Sequence, residues 1–272
     1  VIRQGHGYPS VFNPDVYIQE LMRQGKSLQD AREGGCSGCI EVGAFGKEAY
    51  VLTGYLNVPK ILEGTLHNGV DPVSGRKVGL ETGDPRGFGN YDELYAAFMK
   101  QIRYFVDMKV RVSNYIDRMF AKYAPATFLS LFIDDCIAKG KDYYNCGPRY
   151  NTTYIQCTGL GTITDSLSAL RKHVFEDKTF TMEALLDAMA DNFEGHEPMR
   201  QMILNRTPFF GNDDPYADQI AVRVFDDLYD AIEGKPNTKG ECFHLNMLST
   251  TCHVYFGKVM GATPNGRLAV RA

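Results

Sequence analysis

The run Gly34-Gly35-Cys36-Ser37-Gly38-Cys39-Ile40-Glu41 brings two thiols, a carboxylate and three glycines together in eight residues. If residues 39–41 are extended, Cys39 and Glu41 project to the same face, because side chains alternate along a strand. A thiol beside a carboxylate suits chemistry that needs sulfur and a base at one substrate. The glycines let other backbone come close. An ordinary loop with a buried cysteine and an exposed glutamate fits the same spacing. A redox Cys-x-x-Cys fits it less well: such pairs usually open a helix, and this one is flanked by Gly and β-branched residues. A structural zinc site would lack ligands, because no second Cys-x-x-Cys and no paired histidines follow.

Four other segments carry polar or glycine-rich patterns. Thr158-Gly159-Leu160-Gly161 before Asp165 has glycines ahead of a helix, a phosphate-cradling arrangement. It lacks the third glycine of a dinucleotide fingerprint and any Gly-Lys-Ser/Thr, so a tight turn into a helix is expected. Asn212, Asp213 and Asp214 lack EF-hand spacing and read as caps before Pro215. His196-Glu197 is followed by Pro198 and has Arg200 where a zincin needs its second histidine. Leu248-Ser249-Thr250-Thr251-Cys252 places small hydroxyls at a strand end, equally suited to substrate hydrogen bonding and to capping.

The surrounding elements must position these residues. Asn13-Pro14 reads as a cap with Pro at the first helical position, giving a helix over 15–23, and Ser27 caps a second over 28–33. Residues 34–46 form a loop bordered by extended chain. A short helix follows Val58-Pro59, and 67–89 is turn-rich. Leu94, Phe98, Ile102, Phe105, Val112, Ile116 and Met119 recur at helical spacing, giving a long helix from Tyr91 to about Tyr123, capped by Asn90 and stopped by Pro125. Further helices are expected over 127–139, 165–175, 182–193, 198–205 and 218–231. Strands are expected over 150–157 and 242–247. Long helices with few, widely spaced strands point to an α/β fold, read as one unit over 1–272.

Composition narrows the class. The 272 residues are 44% hydrophobic and 23% charged, enough for a sizeable core and unlike disordered or collagenous chains. A net charge of -4 argues against a broad nucleic-acid or membrane footprint, and no apolar run is long enough to span a bilayer. Seven irregularly spaced cysteines make a poor disulfide framework. With no signal peptide, a reducing cytoplasm is the expected compartment, and most of the five cysteines outside the pair should be inert buried thiols. The chain opens on Val1 and closes on a turn and the start of another element, so a longer parent is expected.

Six blocks occur in order along nearly the whole chain: Gly5 to Asn13, Gly38-Cys39-Ile40-Glu41, His67 to Pro72, Thr164 to Leu167, Gly211 to Asp214 and Ala262 to Arg267. In these the chain resembles the glycyl radical enzymes, the pyruvate formate-lyase-like superfamily. Gly-Cys-x-Glu looks like its dehydratase and lyase branch, whereas pyruvate formate-lyase has adjacent cysteines. Val42 stands where choline- and glycerol-acting members typically carry Pro. The run through Tyr50 is similar to the trans-4-hydroxy-L-proline dehydratases. The resemblance implies part of a ten-stranded α/β barrel, two antiparallel five-stranded halves surrounded by helices, with a cysteine loop at about 34–46. It implies Cys39 as the thiyl radical site, Glu41 as the base, and Tyr55 and Thr250 as substrate contacts. It further implies no bound cofactor. A protein-based glycyl radical outside this chain would be installed by an iron–sulfur, S-adenosylmethionine-dependent activase, and the assembly would be a homodimer. The substrate would be hydroxyproline or a similar small molecule; a diol or amino alcohol is the alternative. A catalytically inactive relative, or a binding module built around the Cys-x-x-Cys, is the non-enzymatic alternative.

Overall fold

The computed structural model describes residues 3, 11–38, 40–248 and 251–270. Helices α1 (Pro14–Arg23) and α2 (Leu28–Arg32) lead into the short strands β1 (Gly35–Ser37) and β2 (Glu41–Gly43). Strand β3 (Val51–Asn57) passes directly into α3 (Val58–Leu66). A turn-rich stretch then leads to α4 (Tyr91–Tyr123) and the short α5 (Thr127–Ser130) and α6 (Cys136–Lys139). After β4 (Thr153–Thr158) come α7 (Leu160–Ala169), α8 (Met182–Ala190), α9 (Glu197–Arg206) and α10 (Pro215–Ile232). The described chain closes with β5 (Phe243–Met247) and α11 (Cys252–Lys258).

Local chemistry sets most of these boundaries. Asn13 Oδ1 accepts from the Asp15 amide at 3.0 Å, and Ser27 Oγ from the Asp30 amide at 3.1 Å. Asn90 Oδ1 accepts from Glu93 N at 3.0 Å, and Asp214 Oδ1 from Tyr216 N at 2.9 Å. Each side chain satisfies a donor that the first helical turn leaves unpaired, worth about 1 kcal/mol. Within the run at 212–214, Asp214 therefore serves as the cap, as its sequence suggests.

Strands β3, β4 and β5 form one sheet in that order. Thr153 N donates to Cys242 O, and Leu248 N to Cys157 O, so β4 and β5 climb together. A parallel bridge between Glu48 and Tyr150 extends the β3 side. Parallel neighbours require long crossovers. Here α3 and α4 lie between β3 and β4, and α7 to α10 between β4 and β5. The α/β expectation holds. Every residue of β4 is buried, as a central strand requires.

Four segments depart from the sequence reading. Gly35–Ser37 and Glu41–Gly43, expected within a loop over 34–46, pair as antiparallel strands. The helix expected over 127–139 is broken into α5 and α6. Asp135 takes a left-handed φ of 75°, and the Asp134 amide turns away to donate to Gly46 O at 2.8 Å. Helix α7 starts five residues before Asp165, because Gly159, at φ 92°, turns the chain straight out of β4. Gly161 thus lies inside a helix rather than in a phosphate loop. Helix α11 has no counterpart in the sequence reading. Of the five cysteines outside the pair, Cys136 and Cys157 are buried, and Cys146, Cys242 and Cys252 are half-buried. Burial pushes the Cys157 thiol up to about 12.

The chain divides into two compact units. The first comprises Val1–Gly54, Val110–Ile155 and Gly234–Asn246. Its core includes Leu21, Ala31, Ala44, Ala49, Tyr154, Ile155 and Phe243. The second comprises Tyr55–Lys109, Gln156–Glu233 and Met247–Ala272. In it Leu94, Phe98 and Ile102 of α4, Ile163 and Leu167 of α7, and Val224 and Leu228 of α10 are buried. Among the described residues no helix is long and apolar enough to cross a membrane.

The first unit also holds a buried ion pair, Lys239 Nζ to Asp117 Oδ2 at 2.6 Å. Removing one partner strands the other charge away from water. Lys239→Met should therefore lower unfolding stability by about 3–5 kcal/mol, read from the urea midpoint. An unchanged midpoint would mean that Asp117 finds another partner or reaches solvent.

Candidate active site

The cysteine segment folds as an antiparallel hairpin. Gly35 pairs with Gly43, Cys36 with Val42 and Ser37 with Glu41, with the turn residues Gly38 and Ile40 between the two strands. Gly38 has a φ of +55°, a conformation that L side chains rarely adopt. A Cβ added there would lie 3.2 Å from Glu41 Oε2. The Glu41 carboxylate thus folds back against the hairpin connection, and glycine leaves it room.

Glu41 is 6% exposed. Burial pushes the Cys36 thiol up, and the negative charge of Glu41 adds to that. Cys36 is therefore kept as a neutral thiol, a poor nucleophile. At the base of the hairpin, Lys47 reaches Asp30 of α2 at 2.8 Å and also bonds Glu33. The Lys47 bond holds the Asp30 carboxyl well below the usual carboxylate range.

Tyr55 lies on β3 in the second unit. It is partly exposed, and its ring meets Phe256 of α11 edge-on, with centroids 6.5 Å apart. The other two site residues read from the sequence, Cys39 and Thr250, lie outside the described residues. Gly38 and Ile40, on either side of Cys39, are turn residues, and extended chain begins at Glu41. Thr250 falls between the end of β5 at Met247 and the start of α11 at Cys252. Glu41 and Tyr55 are thus on strands, each in its own unit.

Sequence reading missed Phe256, because it left the hydroxyls before Cys252 open between substrate binding and capping and placed no helix after them. It also missed Tyr154, whose phenol bonds Val42 of β2, and Glu48 and Lys26, which hold Ala44 and the polar network behind it, because isolated residues of these types carry no pattern. Among the described residues no group of three or more His, Cys, Asp or Glu could hold a metal ion.

The pyruvate formate lyase-like family matches residues 1–257. The chain is 52% identical over 271 residues to trans-4-hydroxy-L-proline dehydratase of Clostridioides difficile, covering 100% of this chain and 34% of that protein. The crystal structure of hydroxyproline dehydratase from the same organism, with trans-4-hydroxy-L-proline bound, superimposes with a TM-score of 0.94 over 96% of this chain and 33% of that one. The glycerol-bound B12-independent glycerol dehydratase of Clostridium butyricum is 32% identical with a TM-score of 0.92, covering 98% of this chain and 34% of that one. The chain spans about a third of the length of the relatives it matches. With a family match over residues 1–257 and this identity along its whole length, the chain belongs to the pyruvate formate lyase-like family, that of the glycyl radical enzymes.

Proposed function

We propose that the protein containing this chain is a glycyl radical dehydratase, a carbon–oxygen lyase that removes water from trans-4-hydroxy-L-proline to give a pyrroline-5-carboxylate. The observation that carries this reading is the buried Glu41 carboxylate folded back against Gly38, the residue before Cys39 in the sequence, in a chain 52% identical throughout to a hydroxyproline dehydratase.

A glycyl radical outside residues 1–272 would take the hydrogen atom of the Cys39 thiol. The Cys39 sulfur then takes a hydrogen atom from the ring carbon beside the one bearing hydroxyl. As the C–O bond breaks, Glu41 accepts the proton lost from the ring amine and passes it to the departing hydroxide, which leaves as water. The hydrogen returns from Cys39 to the carbon that carried the hydroxyl, so the sum is loss of one water. Tyr55 orients the amine or carboxylate, and Thr250 hydrogen-bonds the carboxylate. A thiyl radical must be kept from water and oxygen. The reading therefore places residues 1–272 as one part of a closed ten-stranded barrel, with its further strands supplied by chain beyond them. It includes an S-adenosylmethionine-dependent activase as partner, a homodimeric assembly and a cytoplasmic location.

The test is an anaerobic dehydration assay of the radical-bearing protein with trans-4-hydroxy-L-proline and with glycerol. Pyrroline-5-carboxylate from hydroxyproline alone is the expected outcome. Turnover of glycerol but not hydroxyproline would move the substrate to the diols, a reading favoured by the fold match to the glycerol dehydratase. No turnover of either by protein carrying its radical would remove the dehydratase assignment.

A further inference from the structure

The strand that carries Glu41 is gripped on both sides of Gly43 by buried polar side chains. Tyr154, from β4, donates its phenol proton to Val42 O at 2.9 Å. Two residues on, the Ala44 amide donates to Glu48 Oε2 at 2.7 Å. One ammonium joins the two grips. Lys26 Nζ donates to Glu48 Oε1 at 2.9 Å and to Thr152 Oγ1 at 3.1 Å. Its third bond, at 2.7 Å, goes to Gln24 Oε1. The amide of Gln24 in turn donates to the Tyr154 phenol oxygen at 3.0 Å. Thr152 Oγ1 also donates to Glu48 Oε1. Lys26 is 5% exposed, and its three donors have three acceptors.

Such a network is a poor means of stabilising a fold. A buried ion pair often does no better than apolar residues of the same volume, whereas a fully satisfied network fixes one geometry. What it fixes here is the backbone at Val42 and Ala44, immediately after Glu41. We propose that the Lys26-centred network is the positioning device for the Glu41 carboxylate, and that Tyr154 is its direct contact with the strand. Tyr154 and Lys26 are positioning residues that act through Glu41. This assignment rests on the reading of Glu41 as the base.

The test uses Tyr154→Phe in the full-length, radical-bearing enzyme, which keeps the ring and removes only the hydroxyl. Freed from its carbonyl clamp, β2 can shift by a fraction of an ångström. Sub-ångström misplacement of a catalytic group should lower kcat about tenfold. KM for hydroxyproline should change by less than about twofold, and the glycyl radical signal by electron paramagnetic resonance should be unchanged. Gln24→Met, which loosens the phenol from the other side, should act in the same direction by a few-fold.

The discriminating step is the same change made in Glu41→Gln protein, where it should cost nothing further, because residues acting as one unit are not additive. A silent Tyr154→Phe, or an effect that multiplies with that of Glu41→Gln, overturns the positioning role and leaves the base assignment intact. A silent Glu41→Gln overturns both.

Discussion

Cys39→Ser should abolish turnover while the glycyl radical still forms. Serine is a near-isostere, so the side chain at this position keeps its size and its polarity. The O–H bond of serine is much stronger than the S–H bond of cysteine, so the glycyl radical cannot draw its hydrogen atom. The paired control is Cys36→Ser. Cys36 lies inside β1, opposite Val42, and its thiol is held neutral by burial and by the Glu41 charge. It should tolerate the change with most activity retained. Electron paramagnetic resonance of both proteins, beside anaerobic turnover, separates loss of the relay from loss of the radical. A tolerated Cys39→Ser with a lethal Cys36→Ser would place the radical cysteine one strand earlier and redraw the site.

Glu41→Gln should lower kcat by roughly 10²–10⁴, the usual contribution of a positioned general base. The amide fills the same space and cannot accept the proton. Glu41 is buried at the start of β2 and lies close to Gly38, so any shift that brings water in as a substitute base would need the hairpin to open. The loss should fall on kcat rather than KM, because the proton moves after the substrate is bound. The urea midpoint should stay near that of the parent, which distinguishes a chemical defect from an unfolded hairpin. A KM rise with kcat unchanged would make Glu41 a substrate-binding group instead of the base.

These tests all bear on one segment, which the sequence alone located but read as a loop, where the structure forms an antiparallel hairpin. Glycines at 34, 35 and 38 exclude a helix there, and the order of Gly-Cys-x-Glu among five other blocks identified the family. Several helices legible in the sequence have their start written in adjacent residues: Asn13-Pro14, Ser27, Asn90 and Asp214-Pro215. Caps and helical spacing are local, so a contiguous stretch carries them entire. The periodicity of α4 fixed its length, but not which half is covered. Leu94, Phe98 and Ile102 are buried, whereas Val112, Ile116 and Met119 are exposed.

Tertiary structure decided the rest. It turned Glu41 inward, where a loop reading would leave it in water. It broke the 127–139 helix through a bond from Asp134 to Gly46. It brought Phe256 of an unannounced helix against Tyr55. It also drew Lys26 to Thr152, 126 residues away, and Tyr154 to Val42, 112 away. No window of sequence contains both partners of such a bond. A buried lysine becomes tolerable only when all its acceptors arrive together, and that depends on how strands far apart in the chain come to lie side by side.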